Sequence, residues 1–186
     1  MQELHLHPAI FLDRDGVIIE NQENYVRSWD DVVIFPEALK ALARVSQSPY
    51  KIVVITNQSA VGRGLISLET AQEINERLVK IITQAGGRVD GVFMCPHTPQ
   101  DLCNCRKPKP GLLLQAARAL SLDLSRSILI GDAISDVQAG QAAGVYTTVL
   151  VRTGRGSEQA ENPGAQSLKS LQIFENLAEA LGSLVA

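Results

Sequence analysis

The chain has 186 residues, 45% apolar and 20% charged, enough for one domain whose core needs no disulfide staples. Its 17 basic and 20 acidic residues leave a formal charge of −3, which argues against a broad basic face for nucleic acid. No apolar run approaches the roughly 18–20 residues of a membrane span, and Met1-Gln2-Glu3-Leu4-His5 lacks the regions of a signal peptide. A single domain over residues 1–186 is expected, cytoplasmic and monomeric, with neither nucleic acid nor membrane as partner.

In chain order, short apolar runs alternate with amphipathic stretches. Ala9-Ile10-Phe11-Leu12 reads as a buried strand, apolar without alternation. Glu37 to Val45 follows as a helix, with Ala38, Leu39, Leu42 and Val45 apolar. Lys51 to Ile55 is the second strand. Leu68 to Gln84 is a helix behind Ser67 as N-cap, with Glu69 in its first turn and Ala71, Ile74, Leu78 and Ile81 at a 3.6 period. Gly91 to Met94 is the third strand. Pro110 to Leu120 reads as a helix with Pro near its start. Ser127 to Ile130 is the fourth strand, and Ile134 to Ala143 a helix stopped by Gly144. Tyr146 to Val151 is the fifth strand, and Ile173 to Leu184 a terminal helix with Ile173, Leu177, Leu181 and Leu184 on one face. The alternation predicts an α/β fold, a parallel sheet covered on both faces, with ligands beyond the carboxyl ends of the strands.

The chemistry falls at those ends. The first strand runs into Asp13-Arg14-Asp15-Gly16 and the second into Thr56-Asn57-Gln58-Ser59. The third leads through Cys95 to Arg106-Lys107-Pro108, and the fourth into Gly131-Asp132 with Asp136 beyond. Each piece alone is an ordinary turn, cap or surface charge. Four of them at successive strand ends are not. Carboxylates gathered there repel and raise one another's pKa unless a cation neutralises them. An all-oxygen site with open positions suits Mg²⁺, which shares its shell with phosphate oxygens. Thr56 and Lys107 can hold the remaining phosphate oxygens. One free carboxylate is a candidate nucleophile, and a second, two residues along, a proton donor to the leaving group.

Asp13-Arg14-Asp15-Gly16, Thr56-Asn57, Lys107 and Gly131-Asp132 with Asp136 resemble the four motifs of the haloacid-dehalogenase (HAD) type phosphatases, over about residues 9–155. The resemblance implies a Rossmann-like sheet and an aspartyl-phosphate mechanism. It implies Asp13 as nucleophile and Asp15 as acid, then base. It implies Mg²⁺ held by Asp13, the Asp15 carbonyl and Asp132, with Asp136 orienting or joining the shell. Thr56 and Lys107 would then steady the transferring phosphoryl group.

All three cysteines lie in Cys95-Pro96-His97 and Cys103-Asn104-Cys105. Three thiolates and an imidazole match a closed, structural Zn²⁺ site. Chance clustering of free thiols and a redox disulfide are the weaker readings, since no Cys-x-x-Cys is present and a Cys-x-Cys bridge is strained. The zinc would brace the loop that delivers Arg106 and Lys107. His5 and His7 read as surface residues or part of a tail.

The zinc loop is similar to those of two HAD branches, the heptose-1,7-bisphosphate phosphatases of lipopolysaccharide and nucleotide-heptose precursor synthesis and the histidinol-phosphate phosphatases. Thr56-Asn57-Gln58-Ser59 through Arg63-Gly64, and Arg106-Lys107-Pro108-Lys109-Pro110-Gly111, resemble the heptose branch. Asn57, Gln58, Ser59, Arg106 and Arg63 are the candidate contacts to a sugar-phosphate substrate, with Arg152 a weaker one. The chain has no room for a large cap domain. A catalytically silent, zinc-stabilised phosphate-binding module is the reading from another class. The paired carboxylates Asp13 and Asp15 argue against it.

Overall fold

The computed structural model describes residues 6–166, 168 and 171–185; His5 lies outside them. β1 (Ala9–Leu12) is followed by a 3-10 turn (Trp29–Asp31), α1 (Pro36–Arg44), β2 (Lys51–Asn57), α2 (Ser59–Gly62) and α3 (Leu68–Gln84). Next come β3 (Gly91–Cys95), α4 (Gly111–Leu120), β4 (Ile128–Gly131), α5 (Ile134–Ala143) and β5 (Thr147–Val151). The chain closes with α6 (Gly156–Glu161), α7 (Pro163–Gln166), β6 (Gln172–Phe174) and α8 (Leu177–Leu184).

The strands form one sheet in the order β3-β2-β1-β4-β5-β6, with every pair parallel. Strand side chains alternate between faces. Ile10, Leu12, Ile52, Val54, Ile128 and Ile130 pack into one core with Leu42, Leu78 and Leu181 of α1, α3 and α8. Ala9, Phe11, Val53, Ile55 and Leu129 pack into the other with Leu112, Leu113 and Ala139 of α4 and α5. Burial on both faces explains why these strands read as unbroken apolar runs.

From β1 the chain winds outward to β3, then returns to β4 on β1's other side. Strand order therefore reverses between β1 and β4, and a crevice opens beyond their carboxyl ends. Gly144 ends α5 in the left-handed conformation, φ 80°, and Ser67 caps α3 by accepting the Thr70 N–H at 3.0 Å, both as the sequence predicts.

Several boundaries differ from expectation. β2 and β3 run on to Asn57 and Cys95 because their pairing continues to that register. Pro110 sits at the cap of α4 rather than inside it. The predicted helix from Ile173 begins at Leu177, because Gln172 to Phe174 pair with β5 and Asn176 then caps α8 by accepting the Glu179 N–H at 3.0 Å. His7 is tied by its backbone: its N–H donates to Ser121 O and its carbonyl accepts the Asp123 N–H. Among the described residues, the segment between β1 and α1 holds turns, one 3-10 turn and isolated bridges of Ile19 to Asp15 and Ile34, with no cap domain.

Candidate active site

Asp13 is the first residue past β1, and its N–H extends the ladder to Ile130 O at 3.0 Å. Asp132 follows β4 directly and is wholly buried. Asp136 stands in the first turn of α5, where its Oδ2 accepts the Ala133 N–H at 3.0 Å. The sheet reversal brings the three together, with carboxylate oxygens of Asp13, Asp132 and Asp136 all within 4.8 Å of one another.

Lys107 enters from the opposite side. Its ammonium lies 2.9 Å from Asp13 Oδ1 and 2.6 Å from Asp136 Oδ1, and donates to Ile55 O at 3.0 Å. All three donors of the buried ammonium are thus used. Burial works against its charge, but Asp13 and Asp136 outweigh that and raise its pKa above the ordinary lysine value. Burial pushes the Asp13 carboxyl up to about 6, reinforced by Asp136 and Asp15 and opposed by Lys107. Burial and then Asp13 also raise Asp132.

Three donors meet on Asp132 Oδ2: Asn21 Nδ2 at 2.6 Å, the Arg155 backbone N–H at 2.9 Å and Arg155 Nε at 3.4 Å. Gly16 and Gly154 back onto the same oxygen, so a Cβ on either would collide with it. A buried cluster of hard, crowded carboxylate oxygens, three charges met by Lys107 and by the half-exposed Arg155 guanidinium 3.4 Å from Asp132, fits a divalent cation such as Mg²⁺.

Asp15 turns the other way. Arg14 grips it with two N–H groups at 3.0 Å each, and Gln58 Nε2 donates to its Oδ2 at 2.8 Å. Thr56 is fully buried. Its hydroxyl accepts from Gln58 at 2.8 Å and faces Asp15 at 3.4 Å.

A cleft of ≈ 650 Å³ opens over this floor. Asp13, Asp15, Asn57, Gln58, Ser59, Arg63, Arg106, Lys107 and Asp136 line it; Thr56 and Asp132 lie beneath the surface. Arg63 rests over the Tyr25 ring at 5.9 Å, at the mouth. Asn57 Oδ1 accepts the Lys107 N–H and Asn57 Nδ2 donates to the Lys107 carbonyl, both at 3.2 Å. Arg152 is outside the cleft, paired with Glu175 at 3.2 Å. Arg155, flanked by Gly154 and Gly156, stands on the cleft wall instead.

Cys95, His97, Cys103 and Cys105 converge with sulfur–sulfur distances of 3.1 to 3.6 Å. His97 Nδ1 lies 3.6 Å from Cys95 Sγ and 3.3 Å from Cys105 Sγ. A tetrahedral ion with sulfur at about 2.3 Å separates its sulfurs by about 3.7 Å, so the quartet fits Zn²⁺. Burial pushes the Cys95 thiol up to about 12. Burial also disfavours the Cys103 thiolate, but the Arg106 N–H and neighbouring thiols bring it to about 7. The loop is bonded to the β2 end through Gln58 N–H to Cys95 O at 2.7 Å and Gly62 N–H to Pro96 O at 2.8 Å. Lys109 Nζ donates to the carbonyls of Leu102 and Cys103 at 2.9 and 2.7 Å.

Sequence reasoning did not single out Asn21, Asn75, Arg155 or the role of Arg14. Asn75 carried a signal, a polar residue among Ala71, Ile74 and Leu78. Arg155 carried another, its flanking glycines after a strand. Asn21 carried none.

A six-stranded parallel sheet with a carboxylate trio and a buried lysine at its switch point defines a hydrolase of the haloacid-dehalogenase type. A HAD-hydrolase-like family model matches residues 104–180. The chain is 38% identical to the D-glycero-β-D-manno-heptose-1,7-bisphosphate 7-phosphatase of Bordetella bronchiseptica, over 91% of this chain and 93% of that protein. It is 35% identical to the enzyme of the same name from Neisseria meningitidis, over 91% and 90%. The crystal structure of the B. bronchiseptica phosphatase, complexed with magnesium and phosphate, superposes with a TM-score of 0.88 at 38% identity, covering 95% of this chain and 97% of that one. The chain belongs to the family of HAD phosphatases that these relatives form, and it hydrolyses a phosphate ester. No helix among its described residues is long and apolar enough to cross a membrane.

Proposed function

We propose that this phosphatase acts on D-glycero-D-manno-heptose 1,7-bisphosphate, removing the phosphate at carbon 7, as a single-domain cytoplasmic monomer. The observation that carries the reading is Asp13 at the cleft floor, with its Oδ1 2.9 Å from the Lys107 ammonium and its carboxylate beside Asp132 and Asp136. Relatives of that name covering nine-tenths of the chain support the substrate.

Asp13 is the nucleophile. Its free oxygen bonds to phosphorus as the bond to the sugar oxygen breaks, and Asp15 gives its proton to that oxygen. Asp15 then takes a proton from water, whose oxygen attacks phosphorus and releases Asp13. Lys107 stabilises charge on the phosphoryl oxygens through the field of an ammonium held in place by Asp13, Asp136 and the Ile55 carbonyl before substrate arrives. Asp136 orients Lys107 through its Oδ1, while its Oδ2 is engaged by the helix start. Asp13, Asp132 and the Asp15 carbonyl would hold Mg²⁺, which when bound would supply charge neutralisation for the carboxylates and the phosphate. Thr56, which the resemblance casts as a phosphoryl contact, is fully buried with its hydroxyl 3.4 Å from Asp15, so in this reading it steadies Asp15 rather than the phosphoryl group. Asn57, Gln58, Ser59, Arg106 and Arg63 line the wall that meets the sugar and distal phosphate, with Arg155 facing them from the β5 side. Zn²⁺ on Cys95, His97, Cys103 and Cys105 is structural, since all four positions are protein ligands.

The test is phosphate release from heptose 1,7-bisphosphate, both anomers, against histidinol phosphate, for wild type and Asp13→Asn. The reading expects a higher kcat/KM for the heptose and no turnover by the variant. Preference for histidinol phosphate would replace the substrate, and equal inertness of both proteins would support the silent module.

A further inference from the structure

Asp15 borders the cleft, and its side chain is 20% exposed. A carboxylate on a turn at a cleft edge has several rotamers open to it. Arg14 removes that freedom: Nε donates to Asp15 Oδ2 and Nη2 to Oδ1, a two-point grip that fixes the carboxylate plane. A long side chain on the neighbouring residue fixes nothing unless it is itself held.

Asn75 holds it. Arg14 is 1% exposed, and its Nη1 donates to Asn75 Oδ1 at 2.8 Å. Asn75 is 6% exposed, in the middle of α3, on the face where Ala71, Ile74 and Leu78 are buried. A buried amide there costs stability that an apolar residue would not. Its Nδ2 finds a weak acceptor, Met94 Sδ at 3.7 Å on β3. The amide is oriented by one strong contact, the one to Arg14.

We infer that Asn75 is a positioning residue of the reaction: through Arg14 it fixes the Asp15 carboxyl where a proton passes to the leaving oxygen. The inference rests on the reading of Asp15 as proton donor. The proton leaves Asp15 as the phosphorus–oxygen bond breaks, so the leaving group departs as an alcohol.

The test varies the leaving group. A phenolate such as p-nitrophenolate departs with little need of a proton, whereas a sugar alkoxide needs one. kcat/KM reports the step in which it departs. Asn75→Ala is expected to lower kcat/KM about tenfold for heptose 1,7-bisphosphate and less than about threefold for p-nitrophenyl phosphate, a part of the 10²–10⁴ range of a general acid. Asn75→Asp, which keeps an acceptor for Arg14, should recover most of the loss on the sugar substrate. If Asn75→Ala melts too low to assay, Asn75→Ser is compared by the same criterion. Equal losses on both substrates, or no loss, would overturn the inference. Asp15→Asn separates the two failures. If it shows no leaving-group dependence, the proton-donor reading of Asp15 fails. If it does and Asn75→Ala does not, the positioning role fails.

Discussion

The ammonium of Lys107 lies 2.9 Å from Oδ1 of Asp13, and both side chains are buried. The contact joins two distant stretches of chain, the residue after β1 and the loop behind the Cys/His cluster. Two buried carboxylates, Asp13 and Asp136, share this one ammonium.

Lys107→Ala leaves both without a counter-ion. Removing one member of a buried pair costs about 3–5 kcal/mol, and loss of the transition-state contact lowers kcat by about 10² or more. Thermal melts and phosphate release measure the two effects. Added Mg²⁺ should restore part of the stability and little of the rate. Full recovery of kcat by the metal would mean that Lys107 only balances charge.

Asp13 gives a pH signature in metal-chelated protein. Its pKa is raised from 3.8 to about 6, first by burial and then by Asp136 and Asp15. The folded state therefore binds a proton that the unfolded chain has released. The stability this group contributes is fully present below 3.8 and lost as pH rises through about 6. In chelator, the melting temperature of wild type should fall relative to Asp13→Asn between about pH 4 and pH 7. Parallel curves would show that Asp13 stays ionised on folding.

Cys103→Ser tests the zinc quartet. Metal analysis should give about one zinc per chain in wild type and much less in the variant, with stability falling by about 3 kcal/mol or more. Turnover should fall as well, because Cys105 and Lys107 are separated by Arg106 alone. A zinc-free variant with unchanged melting and activity would remove the bracing role.

Asp90 ties the starts of two strands, accepting the Ile52 N–H at 2.8 Å, Lys51 Nζ at 3.1 Å and Arg88 Nε at 3.0 Å. Burial opposes its charge, but these donors outweigh it and lower its pKa below 3.8. Its contribution is present above 3.8 and lost as pH falls through the lower, folded value. Asp90→Asn should cost about 1–2 kcal/mol at neutral pH, with the gap to wild type closing in acid. A gap that persists in acid would point to packing rather than charge.

The sequence by itself determined the strand runs from β1 to β5, the helices α1, α3, α4 and α5 and the residues of chemistry at the strand ends. Ala9 to Leu12 could not be other than buried, and Asp13 stands where such a strand must stop. Cys95, His97, Cys103 and Cys105 were legible because one short loop carries all four. These are local facts, set by periodicity, caps and spacing. Tertiary structure alone decided the rest. β6 exists because β5 offers a partner edge, which no window of residues 173–184 displays. Arg155 rather than Arg152 reaches the cleft because the turn at Gly154, φ 59°, redirects the chain. Asn21 and Asn75 meet Asp132 and Arg14 across 111 and 61 residues. A buried hydrogen bond between such distant residues depends on strand order and helix packing, and neither is written in the residues that make it.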